Sequence, residues 1–104
     1  MSAPRQGDVW WAEAEDRRRP VLVVTRDDAI PVLRRLVVAP VTRTVRGIPT
    51  EIALGEDEGL PAPCAASFDN LQPVNRHLLT RRLGRLAGSR RHELCAALDA
   101  LADC

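Results

Sequence analysis

Apolar residues in this chain come in short clusters separated by Gly, Pro and charged residues, and they take up a helical spacing only near the C-terminus. After Gly7, residues 8–13 (DVWWAE) are rich in strand formers and predict a first strand. Residues 19–25 (RPVLVVT) are too few and too β-branched for a helix, and their lack of alternation predicts a strand covered on both faces. Residues 33–44 repeat that pattern with Pro40 inside it. Proline cannot donate to a ladder, so this strand must bulge, bend or lie on an edge there, which places the residues just after Pro40 unusually. Residues 49–54 give a fourth strand with Ile52 and Leu54 on one side, and an acidic, Gly/Pro-rich loop follows over 55–63. Two short strands, 64–68 and 71–74, flank Asp69-Asn70. Asn75 is a candidate cap for the short turn RHLL, and residues 80–87 read as the last strand. From Gly88 onward Leu94, Ala97, Leu98 and Leu101 recur at helical spacing and form one apolar stripe. The pattern predicts a mainly β fold with a C-terminal α-helix, a small twisted barrel rather than a βαβ sheet, built as a single domain over 1–104.

Length and composition narrow the classes without changing that picture. At 104 residues the chain holds one modest core. No apolar run approaches the ~18 residues a membrane helix needs, so no membrane partner is expected. The first sixteen residues carry four acids and no apolar core of a leader, which points to the cytoplasm. Three cysteines without C-x-x-C spacing give neither a disulfide framework nor a zinc knuckle; Cys64 and Cys95 read as small core residues and Cys104 as a terminal thiol.

The net charge of +1 conceals a segregation of sign. Residues 17–46 hold eight Arg against Asp27 and Asp28, and residues 76–92 hold six Arg and no acid, while the flanking segments are acidic. All fifteen basic residues are Arg, the side chain that grips phosphate bidentately, so a polyanion is a plausible partner beside the plainer reading of a solvated basic face. Arg90 and Arg91 stand in the first turn of the helix, where the dipole disfavours cations, and so should serve an anion or an acidic neighbour.

The inventory removes most hydrolytic chemistry. The only histidines, His77 and His92, stand near no paired carboxylate and no nucleophile motif such as G-x-S-x-G. Asp27-Asp28 and Glu56-Asp57-Glu58 lie in loop-like sequence without metal-ligand spacing and read as solvated turn acids, and there is no Gly-rich phosphate loop. Neither a metal nor a cofactor is expected. What remains is cleavage in which the substrate brings its own nucleophile. RNA does so, because a 2′-hydroxyl attacks the adjacent phosphorus when a protein holds the two in line and stabilises the added charge, a task suited to arginine.

Five ordered segments then resemble one family: GDVWW at 7–11, RRPVLVVTRD at 18–27, VAPVT at 38–42, GIPTE at 47–51 and LGRL at 83–86. In order and spacing they resemble the MazF/PemK endoribonuclease toxins of type II toxin-antitoxin systems, over nearly the whole chain. The resemblance implies a homodimeric SH3-like barrel of the PemK/CcdB type. It implies metal-independent cleavage of single-stranded RNA, leaving a 2′,3′-cyclic phosphate and a 5′-hydroxyl, with arrest of translation and growth; whether tRNA or rRNA is the RNA cut stays open on sequence. It also implies a cognate acidic antitoxin. The family's catalytic Arg, just before the Pro of the second strand, matches Arg19, and its partner Thr matches Thr42. Asn70, in the acid-amide pair Asp69-Asn70, carries over as a base or backbone contact. Gln72 stands where relatives are often basic, and the loop 14–18 is shorter than the family's usual gate.

Beside the resemblance, Trp10 and Trp11 must point to opposite faces of their strand. One is core; Trp11 is our choice for an RNA groove, where a stacked base is worth ~1–3 kcal/mol. Arg26, Arg43, Arg46 and Arg81 are the candidate phosphate contacts. Two other classes stay open on sequence: a gyrase poison of the CcdB kind, against which the Leu101-Ala102-Asp103-Cys104 end counts, and a non-catalytic RNA-binding barrel.

Overall fold

The computed structural model describes residues 3–13 and 17–102. The shortened gate loop and Cys104 thus fall largely outside the described residues. Seven antiparallel strands make one curled sheet: β1 (Asp8–Glu13), β2 (Arg18–Val23), β3 (Arg35–Thr42), β4 (Glu51–Leu54), β5 (Cys64–Ser67), β6 (Gln72–Asn75) and β7 (Leu79–Arg85), followed by helix α1 (Arg91–Leu101). The order across the sheet is β4-β5-β3-β2-β1-β7, with β6 also on β3. This is the mainly β barrel with one C-terminal helix that the pattern predicts.

Pro40 sits at a change of partner. Residues 35–38 of β3 pair with β6 and residues 41–42 pair with β5, so Pro40 lies in the interval where β3 has left one strand and not yet met the other. It pairs with Val21 of β2, so the strand is neither broken nor an edge. A residue without an N–H is tolerated where a ladder is interrupted.

Side chains alternate between two cores. Val9, Leu22, Ala39, Ile52, Ala66, Phe68 and Leu86 pack with Leu94 and Ala97 of α1. Trp10, Ala12, Val21, Val23, Leu36, Val38, Val74 and Leu79 pack on the other side of the β1–β2–β3 sheet. This accounts for the unalternating sequence of the second strand: Leu22 serves one core, Val21 and Val23 the other.

The barrel closes without a ladder between its outer strands. The 3-10 turn after β4 (Glu56–Glu58) lies against β7, and the backbones of Gly59 and Gly84 touch there. A methyl group on either would meet the other segment's backbone carbonyl at 2.0–2.2 Å, so only glycine fits. Buried polar groups tie the same regions. Asp8 is 1% exposed and accepts hydrogen bonds from the Arg5 N–H, Trp10 Nε1 and Arg85 Nε. Thr25 Oγ1 accepts from the Val37 N–H at 2.7 Å.

Several expectations need correction. Glu58 is no solvated turn acid: it is buried, with Oε1 accepting the Gly55 N–H and Oε2 facing Arg90. Arg90 thereby finds its acidic neighbours, Glu58 and Glu93, and also donates to the Ala53 carbonyl. Its hydrogen bond is the main reason the Glu93 carboxyl is held below its ordinary value, and the Arg90 guanidinium is raised by the same bond. Arg91 finds Asp27 at 3.9 Å and the Gln6 side chain. Cys95 is exposed rather than core, and Leu101, the last residue of the helical stripe, is 42% exposed. Asn75 does cap the turn that follows it, its Oδ1 accepting the His77 N–H.

Candidate active site

Where β2 and β3 run beyond the cores, their alternation produces two depressions on opposite faces. Arg17 and Arg19 of the β2 segment and Pro40, Thr42 and Thr44 of the β3 segment share the first. Arg18 and Pro20, with Val41 and Arg43, share the second. The register that pairs Val21 with Pro40, continued two residues outward, brings Arg19 across from Thr42.

The first depression is an open polar groove of about 640 Å³. Arg46, Glu51, Ser67, Asp69, Asn70, Leu71 and Gln72 complete its lining. The Arg19 side chain is half-buried and has no hydrogen-bond or ion-pair partner among the described residues. A guanidinium in a groove with no acidic partner among the described residues attracts an anion. Thr42 Oγ1 accepts the Thr44 N–H at 3.1 Å, which fixes the side chain and leaves its O–H free to donate. Asn70 Nδ2 donates to Ser67 Oγ, leaving the amide oxygen as an acceptor. Glu51 Oε1 gathers the N–H groups of Arg46 and Gly47, folding the loop before β4 against the groove, and Asp69 Oδ2 accepts from Thr50 Oγ1 at 2.6 Å. Among the described residues, no three His, Cys, Asp or Glu side chains are grouped to hold a metal ion.

The second depression, about 460 Å³, is of another character. Trp11, Pro20, Val41, Leu60, Pro61 and Leu83 form its floor and walls, Cys64 lies inside it, and Arg18, Arg43 and Arg81 stand around it. Burial and, after it, the Glu58 carboxylate push the Cys64 thiol up, while Arg43 acts the other way.

Our expectation of one groove is therefore divided. Arg19, Thr42, Arg46 and Asn70 come together in the polar groove, while Trp11, Arg43 and Arg81 come together on the other face. Trp10 is the core member of the tryptophan pair. Arg26 lines neither depression and pairs with Asp28 at 3.0 Å. Sequence reasoning missed Arg17, Thr44, Ser67 and Glu51 as groove residues. The first two were within reach, lying two residues from Arg19 and Thr42 on the same strand faces.

Residues 5–102 match the family model of PemK-like, MazF-like toxins of type II toxin-antitoxin systems. The chain belongs to that family. A probable endoribonuclease MazF5 of Mycobacterium tuberculosis is 47% identical to the toxin over 104 residues, covering 97% of this chain and 94% of the relative. An endoribonuclease MazF3 of the same organism is 40% identical over 83 residues, 80% of this chain and 81% of the relative. Among solved structures, the M. tuberculosis toxin MazF-mt6 superimposes with a TM-score of 0.86 at 36% identity, covering 92% of this toxin and 96% of that chain. A mycobacterial endoribonuclease in complex with its cognate antitoxin shares the fold, with a TM-score of 0.84 at 24% identity.

Proposed function

We propose that this toxin is an endoribonuclease that cuts single-stranded RNA at the polar groove. The observation that carries the reading is the meeting of the Arg19 guanidinium, which has no acidic partner among the described residues, with the free Thr42 hydroxyl in one groove of a MazF-like toxin. The relatives named endoribonucleases support it.

The chemistry follows from what the groove holds. A phosphodiester laid between Arg19 and Thr42 receives donors on its non-bridging oxygens. As the 2′-oxygen bonds to phosphorus and the bond from phosphorus to the 5′-oxygen breaks, negative charge builds on those oxygens, where a fixed cation and a fixed O–H stabilise it most. The 2′ proton leaves to solvent through the open groove and the departing 5′-oxygen takes one up. The products are a 2′,3′-cyclic phosphate and a 5′-hydroxyl, and no metal is part of the reading. Arg46 tracks the flanking phosphate, and Asn70 offers its amide oxygen to a base edge. Loss of intact RNA would arrest translation and growth in the cytoplasm.

Two partners belong to the same proposal. A cognate acidic antitoxin would cover the basic groove. A second copy would cover the apolar surface left by Val32, Leu33 and Val37, which are 81%, 41% and 39% exposed, making a homodimer.

The test is incubation of the purified protein with mixed-sequence single-stranded RNA in excess chelator, with fragment ends mapped beside an all-deoxy control. Fragments ending in 2′,3′-cyclic phosphate are expected. Arg19→Ala and Thr42→Ala should each fold and lose about a hundredfold or more in rate, the cost of removing one preorganised donor. A folded Arg19→Ala protein that cleaves normally would refute the assignment.

A further inference from the structure

The stretch between β3 and β4 borders the polar groove and is held there by very little. Residues 44–48 carry no regular secondary structure. Val45 and Ile48, its large apolar side chains, are 51% and 37% exposed, so packing does not fasten it. What does is one carboxylate. Glu51 Oε1 accepts the Arg46 N–H at 2.9 Å and the Gly47 N–H at 3.1 Å, and the Glu51 N–H closes the turn on the Ile48 carbonyl. Gly47, at φ 67°, takes the left-handed conformation open to glycine, and two successive N–H groups turned to one point attract an anion.

The anchor itself is firm. Glu51 stands opposite Ser67 in the β4–β5 ladder, and the residue before it is tied to the turn after β5: the Thr50 carbonyl accepts the Phe68 N–H at 2.9 Å, and Thr50 Oγ1 donates to Asp69 at 2.6 Å. The loop thus hangs on the sheet through the Glu51 side chain. Arg46, at its middle, lines the groove, and its guanidinium has no hydrogen-bond or ion-pair partner among the described residues, so only its backbone is placed.

We infer that Glu51 is a positioning residue of the groove: its carboxylate fixes the loop 43–50 so that Arg46 meets the phosphate next to the one held by Arg19 and Thr42. The inference rests on the cleavage reading above. A carboxylate is otherwise out of place in a groove for a polyanion, because its charge repels the substrate. Two charge-assisted hydrogen bonds to the backbone offset that cost by ordering the loop before RNA arrives. Glu51→Ala and Glu51→Gln both remove the charge, but only Ala removes the acceptor oxygen. The difference between the two variants therefore isolates the hydrogen bonds.

The test is steady-state cleavage of a fluorogenic single-stranded RNA in excess chelator by the full chain, Glu51→Ala, Glu51→Gln, Arg46→Ala and Glu51→Ala/Arg46→Ala, with thermal melts to check folding. Glu51→Ala should raise KM about five- to tenfold and leave kcat within about twofold, the pattern of binding lost equally from ground and transition states. Its log KM should also depend less steeply on log salt, by about 0.7, the share of one phosphate contact on a single strand. Arg46→Ala should match it on both counts, and the double variant should be no worse than either single one. Glu51→Gln should bring KM back to within about twofold of the parent. In the parent protein the Arg46 and Gly47 amides should exchange with solvent at least about tenfold more slowly than the Val45 amide, which has no acceptor among the described residues. An unchanged KM or a loss confined to kcat in Glu51→Ala would overturn the inference and leave the cleavage reading standing. So would Glu51→Gln as impaired as Glu51→Ala, losses that multiply in the double variant, or Arg46 and Gly47 amides as free as that of Val45. No cleavage by the parent protein would overturn both.

Discussion

Replacing Gly84 with Ala tests whether the Gly59–Gly84 contact closes the barrel. The added methyl would lie 2.2 Å from the Glu58 carbonyl oxygen and 2.5 Å from its carbon, where ordinary contact begins at 3.4 Å. Both sides of the clash are backbone, so no rotamer change relieves it, and one segment must retreat by more than an ångström. Overpacking of a tight core costs about 1–3 kcal/mol when side chains can adjust, and with backbone on both sides the upper end, about 3 kcal/mol, is expected. For a domain of this size 1 kcal/mol moves the melting midpoint by about 4–8 °C, so Gly84→Ala should melt about 12 °C or more below the parent. It should still fold, because domains of this kind have about 5–15 kcal/mol in hand. Gly88→Ala is the control, since nothing lies within 4 Å of the methyl it would add. Thermal melts followed by tryptophan fluorescence and by circular dichroism read both variants. A Gly84→Ala midpoint within about 3 °C of the parent would refute the closure argument.

Two further predictions concern polar groups of the frame. Thr25→Val keeps the shape of the side chain but leaves the Val37 N–H without its acceptor, and urea unfolding should show a loss of about 1–3 kcal/mol. Glu93 is held below its ordinary value by Arg90, so its contribution is complete above the unfolded glutamate value, about 4.3, and disappears as pH falls through the lower folded one. Glu93→Gln should thus lower stability at neutral pH by an amount that shrinks to nothing in acid; a gap that stays constant with pH would show the carboxylate charge to be irrelevant.

The β-formers of each strand, the turn glycines and the Leu94–Ala97–Leu98 stripe carry local signals, and the architecture was legible from them. So was the relation of Arg19 to Thr42, through the resemblance and through the prolines beside them. What the sequence hid is long-range. Nothing near Glu58 marks it as buried, because its partner Arg90 lies 32 residues away on the approach to α1. Cys95 looked like core because cysteine usually is, and the helix simply turns it outward. The division of the arginines between two faces was written in their odd and even positions, yet it reads as one basic block until the strands are seen to extend past the cores.

That parity has an evolutionary corollary. Arg17 and Arg19 with Thr42 and Thr44 occupy one set of alternate positions, and Arg18 and Pro20 with Val41 and Arg43 occupy the other. Point substitutions can tune either face while leaving its counterpart intact. A one-residue insertion or deletion in β2 or β3 cannot, because it exchanges the two sets wholesale and turns each surface into the other's. Lineages of this fold should accordingly diversify here by replacement and accept length changes only in the connecting loops.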